Sequence, residues 1–134
     1  MKRAHHHAVY DLKYHLVFVT KYRRKAFNKT ILIRMEEIVD NICKKWDIEL
    51  IEFGGEADHI HILISGHPSF ELSKFINNLK TVSSRYIRKE FSTHLSQFYW
   101  KPYLWSRAYF VCSSGGAPLA VIKKYIENQN TPKS

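Results

Sequence analysis

Two long stripes of apolar residues at helical spacing, separated by short β-branched runs, constrain most tightly what this chain can fold into. From Thr30 to Trp46, Ile31, Met35, Ile38 and Ile42 recur one helical turn apart, with Arg34, Glu36, Glu37, Lys44 and Lys45 elsewhere, which predicts an amphipathic helix packed on a sheet. A second helix, capped by Ser69 and ending near Phe91, carries Leu72, Phe75, Ile76, Leu79, Val82, Tyr86 and Ile87 on its apolar face. Around these lie strand-like runs. Tyr14 to Thr20 is β-branched and aromatic and too short for a helix, Ile48 to Phe53 and Asp58 to Ser65 form a pair, and Ala108 to Cys112 is the last. Gly54-Gly55-Glu56-Ala57 is short enough to be a hairpin turn, which makes the middle two strands antiparallel neighbours.

Gly115-Gly116 breaks the chain, and Ala117-Pro118 then opens a C-terminal helix over residues 117–130 with Leu119, Ile122 and Ile126 as its buried stripe. The order β-α-β-β-α-β-α gives an α+β fold. Its first six elements follow the ferredoxin-like, split βαβ plan, an antiparallel sheet with both long helices on one face, leaving the extra helix for the other face. One domain over residues 1–134 is expected, with Met1 to Ala8 a mobile arm containing His5-His6-His7 and Thr131 to Ser134 a polar tail.

Composition narrows the function. Of 134 residues, 21 are Lys or Arg and 12 Asp or Glu, a net charge of +9, which favours a polyanionic partner such as nucleic acid, although basic proteins also suit membrane surfaces. No run of residues is long and apolar enough for a membrane span, and Met1-Lys2-Arg3-Ala4 leads into histidines rather than a signal-peptide core, so an intracellular, cytoplasmic protein is expected. Cys43 and Cys112, far apart and outside any CxxC spacing, are expected to be reduced thiols.

The sharpest local feature is Asp58-His59-Ile60-His61-Ile62-Leu63-Ile64, in which two histidines at spacing two point to one side of a strand and three isoleucines to the other. Imidazoles about 6–7 Å apart along a strand can share a metal ion, or can be two polar residues on a solvated face. Strand parity turns Glu56 and Asp58 toward the isoleucine side, which makes them second choices as ligands. Tyr125 and Gln129, one turn apart on the C-terminal helix, share a face at the margin of its apolar stripe, where a tyrosine can equally be an amphipathic residue at a core boundary. Cations and rings interleave in Lys21-Tyr22-Arg23-Arg24-Lys25 and from Phe98 to Trp105, and Lys74, Lys80, Arg85, Arg88 and Lys89 stud the second helix. Cations neutralise phosphates and exposed rings stack on unpaired bases, so a nucleic-acid surface is expected, with some of the aromatics belonging to the core.

These motifs together carry a family resemblance. Tyr14 to Arg24, Asp58-His59-Ile60-His61, Ser83-Ser84-Arg85 and Gly115-Gly116-Ala117-Pro118 leading to Tyr125-Ile126-Glu127-Asn128-Gln129 resemble, in the same order and from about Val9 to Gln129, the single-tyrosine HUH transposases of the insertion-sequence 200/605 family. The resemblance implies that Tyr125 is the nucleophile, that His59, His61 and Gln129 bind a divalent ion, Mg2+ or Mn2+, and that DNA is cut through a 5′-phosphotyrosine with release of a 3′-hydroxyl. It also implies single-stranded DNA hairpins at the element ends as partners, with Lys21, Arg23, Arg24, Lys80 and Arg85 as DNA contacts. A homodimer is implied too, in which Gly115 and Gly116 form a hinge sending the tyrosine helix to the partner's histidines. The rival from another class is a non-enzymatic ferredoxin-like module that binds single-stranded nucleic acid on its open sheet face, and it requires exposed aromatics on the central strands.

Overall fold

The computed structural model describes residues 3–5, 8–113, 124 and 127; the Gly115-Gly116 hinge, Tyr125, Gln129 and most of the expected C-terminal helix lie outside the described residues. Four strands form one antiparallel sheet in the order β4-β5-β3-β6: β3 is Lys13–Thr20, β4 is Glu49–Glu56, β5 is His59–Ser65 and β6 is Trp105–Ser113. Helices α1 (Lys29–Lys45) and α2 (Leu72–Glu90) pair the strands as the split βαβ plan requires. Where a mobile arm was expected, two three-residue strands, β1 (Arg3–His5) and β2 (Ala8–Tyr10), pair antiparallel. A single turn of helix, α3 (Ser92–Leu95), follows α2 and precedes the aromatic stretch from Phe98 to Trp105.

Leu16 and Phe18 of β3 and Ile60, Ile62 and Ile64 of β5 pack against Ile31, Met35, Phe75 and Leu79 of the helices, so the core sits between the sheet and one helical layer. Helix α1 begins at Asn28, whose side-chain oxygen accepts from the Ile31 N–H at 2.8 Å. It ends when Asp47 turns left-handed (φ 56°), which lets the Asp47 N–H reach the Lys44 carbonyl and the Ile48 N–H the Cys43 carbonyl. Helix α2 starts at Leu72, later than the Ser69 cap expected: a turn in which the Phe70 N–H donates to the His67 carbonyl (2.9 Å) and the Ser69 N–H to His67 Nδ1 (3.2 Å) comes first, and Glu71 takes the N-cap position. Tyr86 departs from the expected apolar stripe: it is exposed, with the guanidinium groups of Arg34 and Arg85 over its ring. Both cysteines are free, and burial pushes the Cys43 thiol up to about 12.

The glycines expected to turn the chain lie inside β4, and the β4–β5 turn is Ala57-Asp58. Pairing between β4 and β5 shifts between Leu50 and Glu52, so Leu50 faces Ile64 whereas Glu52, Gly54 and Glu56 face Leu63, His61 and His59. Strand β6 starts earlier than the sequence suggests because Trp105 joins the core, its ring 5.5 Å from Phe27 and 5.9 Å from Phe18. Trp105 Nε1–H donates to Ser83 Oγ (3.0 Å), and Ser83 donates to the Leu79 carbonyl (2.6 Å). Ser83→Ala leaves the buried indole N–H without that acceptor and is expected to destabilise the protein by about 1–3 kcal/mol, read from urea unfolding.

Candidate functional site

Alternation along β5 sorts its residues as expected: the isoleucines are buried in the core, and His59 and His61 stand on the opposite face of the sheet. Their surroundings differ. His59 is buried, and its Nδ1 lies 2.9 Å from Asp58 Oδ1. A carboxylate only accepts, so the facing Nδ1 is the donor, and whenever the ring is neutral this leaves the lone pair on Nε2 for a ligand. His61 is exposed and stands over Gly54, directly across the β4–β5 ladder. Partial desolvation of the ring where it lies against the sheet, and then the neighbouring His59, lower the His61 pKa against the opposing pull of Glu52 and Glu56, which favours the neutral form that a cation needs.

Parity misplaces the two nearby carboxylates, for separate reasons. Asp58 sits in the turn, outside the pleat, and its side chain bends back to His59. Glu56 belongs to the partner strand, opposite His59, so it shares that histidine's face and brings Oε2 to 3.7 Å from His59 Nε2. Burial pushes the Asp58 carboxyl up, but hydrogen bonds from His59 and Arg23 outweigh it and hold the group below its ordinary value.

Gly54 and Gly55 are also part of the site. A Cβ on Gly54 would lie 2.4 Å from His61 Nε2, and one on Gly55 would meet the His59 carbonyl at 2.8 Å and Leu32 at 3.0 Å. The first glycine makes room for an imidazole, the second for the helical layer; in sequence the pair is indistinguishable from a turn. Among the described residues, no three His, Cys, Asp or Glu side chains converge as an ion site. The donors present nevertheless suit a divalent ion: two imidazoles on one face, one with its Nδ1 turned to a carboxylate, the other unobstructed by any Cβ beneath it.

Beside His59 an open cleft of about 470 Å3 is lined by Arg23, Lys25, Glu56, Asp58 and, from the C-terminal segment, Glu127, which lies two residues along the sequence from both Tyr125 and Gln129. A second groove of about 390 Å3 runs between α2 and β6, lined by Lys21, Lys80, Arg88, Arg107 and Tyr103 among others. The expected DNA contacts are distributed unequally over these surfaces. Lys21 reaches the rings of Tyr22 and Tyr103 (5.1 and 5.3 Å), and Arg24 lies over Tyr22 (5.5 Å) while donating to the Phe98 carbonyl. Arg85 is exposed on α2 and lies outside the groove lining. Lys80 turns inward, donating to the Ser106 and Arg107 carbonyls at 2.7 and 3.2 Å, with its pKa lowered by burial and by Lys21. Arg23 grips Asp58 through Nε and Nη2 at 3.0 and 2.8 Å. Of the aromatic stretch, Tyr99 and Trp105 are buried, whereas Trp100 is 90% exposed.

The family model for IS200-like transposases matches residues 8–129. The chain belongs to that family. It is 30% identical over 122 residues to the ISDra2 transposase TnpA of Deinococcus radiodurans, covering 91% of this chain and 86% of that protein. It is 33% identical over 123 residues to the transposase for insertion sequence element IS200 of Salmonella typhimurium, covering 92% and 80% respectively. The crystal structure of a Deinococcus radiodurans R1 protein assigned as a transposase superposes with a TM-score of 0.85 at 30% identity, covering 98% of this chain and 99% of that one. A REP-associated tyrosine transposase bound to a REP hairpin shares the fold at a TM-score of 0.60 and 9% identity, over 96% of this chain and 68% of that one. The ferredoxin-like reading of the sequence thus agrees with the structures of the family. Among the described residues no helix is long and apolar enough to cross a membrane.

Because a methyl group on Gly54 would collide with the end of a mobile side chain rather than with backbone, Gly54→Ala is expected to leave the fold intact while displacing the His61 ring. Histidine resonances in NMR spectra should show His61 moved, with weakened Mn2+ binding and an unchanged circular dichroism spectrum.

Proposed function

We propose that this IS200-like transposase cleaves and rejoins single-stranded DNA at hairpin-marked ends of an insertion sequence, through a 5′-phosphotyrosine on Tyr125. The observation that supports the reading best is the histidine pair: His59 and His61 share one sheet face, and His59 opens on a cleft lined by two cations and by Glu127 of the segment that carries Tyr125 and Gln129. His59, His61 and Gln129 would hold a divalent ion, Mg2+ or Mn2+, which supplies Lewis-acid polarisation of the scissile phosphate. Tyr125 gives up its phenolic proton as its oxygen bonds to phosphorus, and the bond from phosphorus to the 3′-oxygen breaks, leaving a 3′-hydroxyl. The phosphoester energy is kept in the tyrosine link, so the reverse attack rejoins a strand without a nucleotide triphosphate. Arg24, Arg85 and Lys21 are the cations best placed to meet the phosphates of a hairpin, the ligand on which the REP-associated relative was solved.

A purely binding ferredoxin-like module is less well supported. Cross-strand pairing puts His15, Val17, Val19, His59, His61 and Leu63 on the face of the two central strands turned away from α1 and α2, where Val17, Val19 and His59 are buried and none of the exposed stacking rings such a module needs is found, and Phe110 stands on the outer strand β6.

Tyr125→Phe is expected to abolish the denaturation-resistant protein–DNA adduct while hairpin affinity stays near wild type; an adduct at wild-type level would move the nucleophile elsewhere. Replacing Arg24 should weaken hairpin binding and reduce the slope of log K against log salt by roughly 0.7–0.9. If two copies share their sites, mixing equal amounts of Tyr125→Phe protein with His59→Ala, His61→Ala protein should restore roughly a quarter of wild-type cleavage, because about half the dimers are mixed and each has one intact site. No recovery, with subunit exchange shown independently, would seat each helix on its own histidines, the arrangement that Glu127 beside His59 in one chain favours.

A further inference from the structure

We infer that Asp58 is a positioning residue for His59, and that Arg23 holds Asp58 in place rather than contacting DNA. The inference rests on the reading of His59 as a metal ligand and adds two residues to that site. Asp58 Oδ1 lies 2.9 Å from His59 Nδ1, while its Oδ2 accepts from Arg23 Nε at 3.0 Å and Nη2 at 2.8 Å, so one carboxylate spends its two oxygens on two different partners. The Arg23 and Asp58 side chains are only 13% and 14% exposed, too enclosed for an incidental surface pair.

The backbone around them is built to bring these groups together. Tyr22 and Arg23 both adopt left-handed conformations (φ 59° and 54°) immediately after β3, in a type of residue that ordinarily avoids them. Such local strain persists only where surrounding contacts over-determine it, and here those contacts are numerous. The Thr20 N–H donates to the Asp58 carbonyl (2.9 Å), the Phe27 N–H to the Ala57 carbonyl (2.9 Å) and the Tyr99 hydroxyl to the Lys21 carbonyl (2.6 Å). The turn after β3 is thereby fastened to the turn before β5, and the Arg23 fork meets Asp58 across that seam. A carboxylate on Nδ1 fixes the imidazole plane and leaves Nε2 as the donor, which is the usual way proteins orient a ligating histidine.

Histidine labelled with 15N distinguishes the tautomers in the metal-free protein, and Mn2+ binding followed by electron paramagnetic resonance reads affinity separately from cleavage. In wild type above the imidazole titration range, His59 should be protonated on Nδ1. Asp58→Ala should mix the two tautomers and weaken Mn2+ binding by about 10- to 100-fold. Asp58→Asn, which keeps an acceptor of nearly the same shape and guards against loss of the fold, should retain part of both. Arg23→Gln should change the tautomer in the same direction, less strongly, and leave unaltered the salt dependence of binding to a single-stranded oligonucleotide ending in a stem-loop. A His59 tautomer indifferent to both Asp58 variants would overturn the positioning role. A salt slope reduced by roughly 0.7–0.9 in Arg23→Gln, with the tautomer unchanged, would make Arg23 a phosphate contact and overturn the clamp. Mn2+ affinity unchanged in His59→Ala would instead overturn the underlying reading of His59 as a ligand.

Discussion

Burial of Ile60, Ile62 and Ile64 between the sheet and the two long helices is the interaction on which the site depends. Side chains on a strand alternate, so anchoring three isoleucines in the core obliges His59 and His61 to emerge on the other face. A slip of one residue would bury both imidazoles among aliphatic groups and expose the isoleucines. The hydrophobic core therefore acts as the alignment device for a polar site with which it makes no chemistry in common. Strand β3, hydrogen-bonded to β5 on one side and β6 on the other, gives that alignment its rigidity.

Periodic features of the chain were legible because periodicity is what burial selects. The stripe Ile31, Met35, Ile38 and Ile42 is buried as a unit, the β3 and β5 runs are strands, and the ferredoxin-like order follows from the alternation of these elements. What escaped was whatever depends on cross-strand partners. Gly54-Gly55 has the composition of a turn, yet those residues are in a strand because His61 and Leu32 need the space that a Cβ would occupy. The proximity of Glu56 to His59 depends on register between two strands, which no pattern within one strand encodes. Tyr86 fits a helical stripe by spacing but lies beyond the helical layer's contact, under two guanidinium groups.

Positive charge was equally legible as a total and illegible in its allocation. A net charge of +9 says that a polyanion is a favourable partner, but the sequence does not say which cations are spoken for. Lys80 caps carbonyls at the start of β6 and Arg23 closes on Asp58, whereas Arg24 and Arg85 keep more of their charge toward solvent. The aromatic stretch divides in the same manner, with Tyr99 and Trp105 inside and Trp100 outside.

The irregularity in β4 has a bearing on how this family can tolerate changes of length. Because Leu50 pairs with Ile64 and Glu52 with Leu63, Ile51 is a supernumerary residue in the ladder. Removing Ile51 would leave a regular strand in which Glu52, Gly54 and Glu56 keep their partners on β5. Removing Gly54 or Gly55 would instead shift the residues on one side of the gap by one place, setting the Phe53 side chain beneath His61 or taking Glu56 away from His59. A β4 strand one residue shorter can thus carry the same histidine site, provided that the loss is absorbed at the bulge.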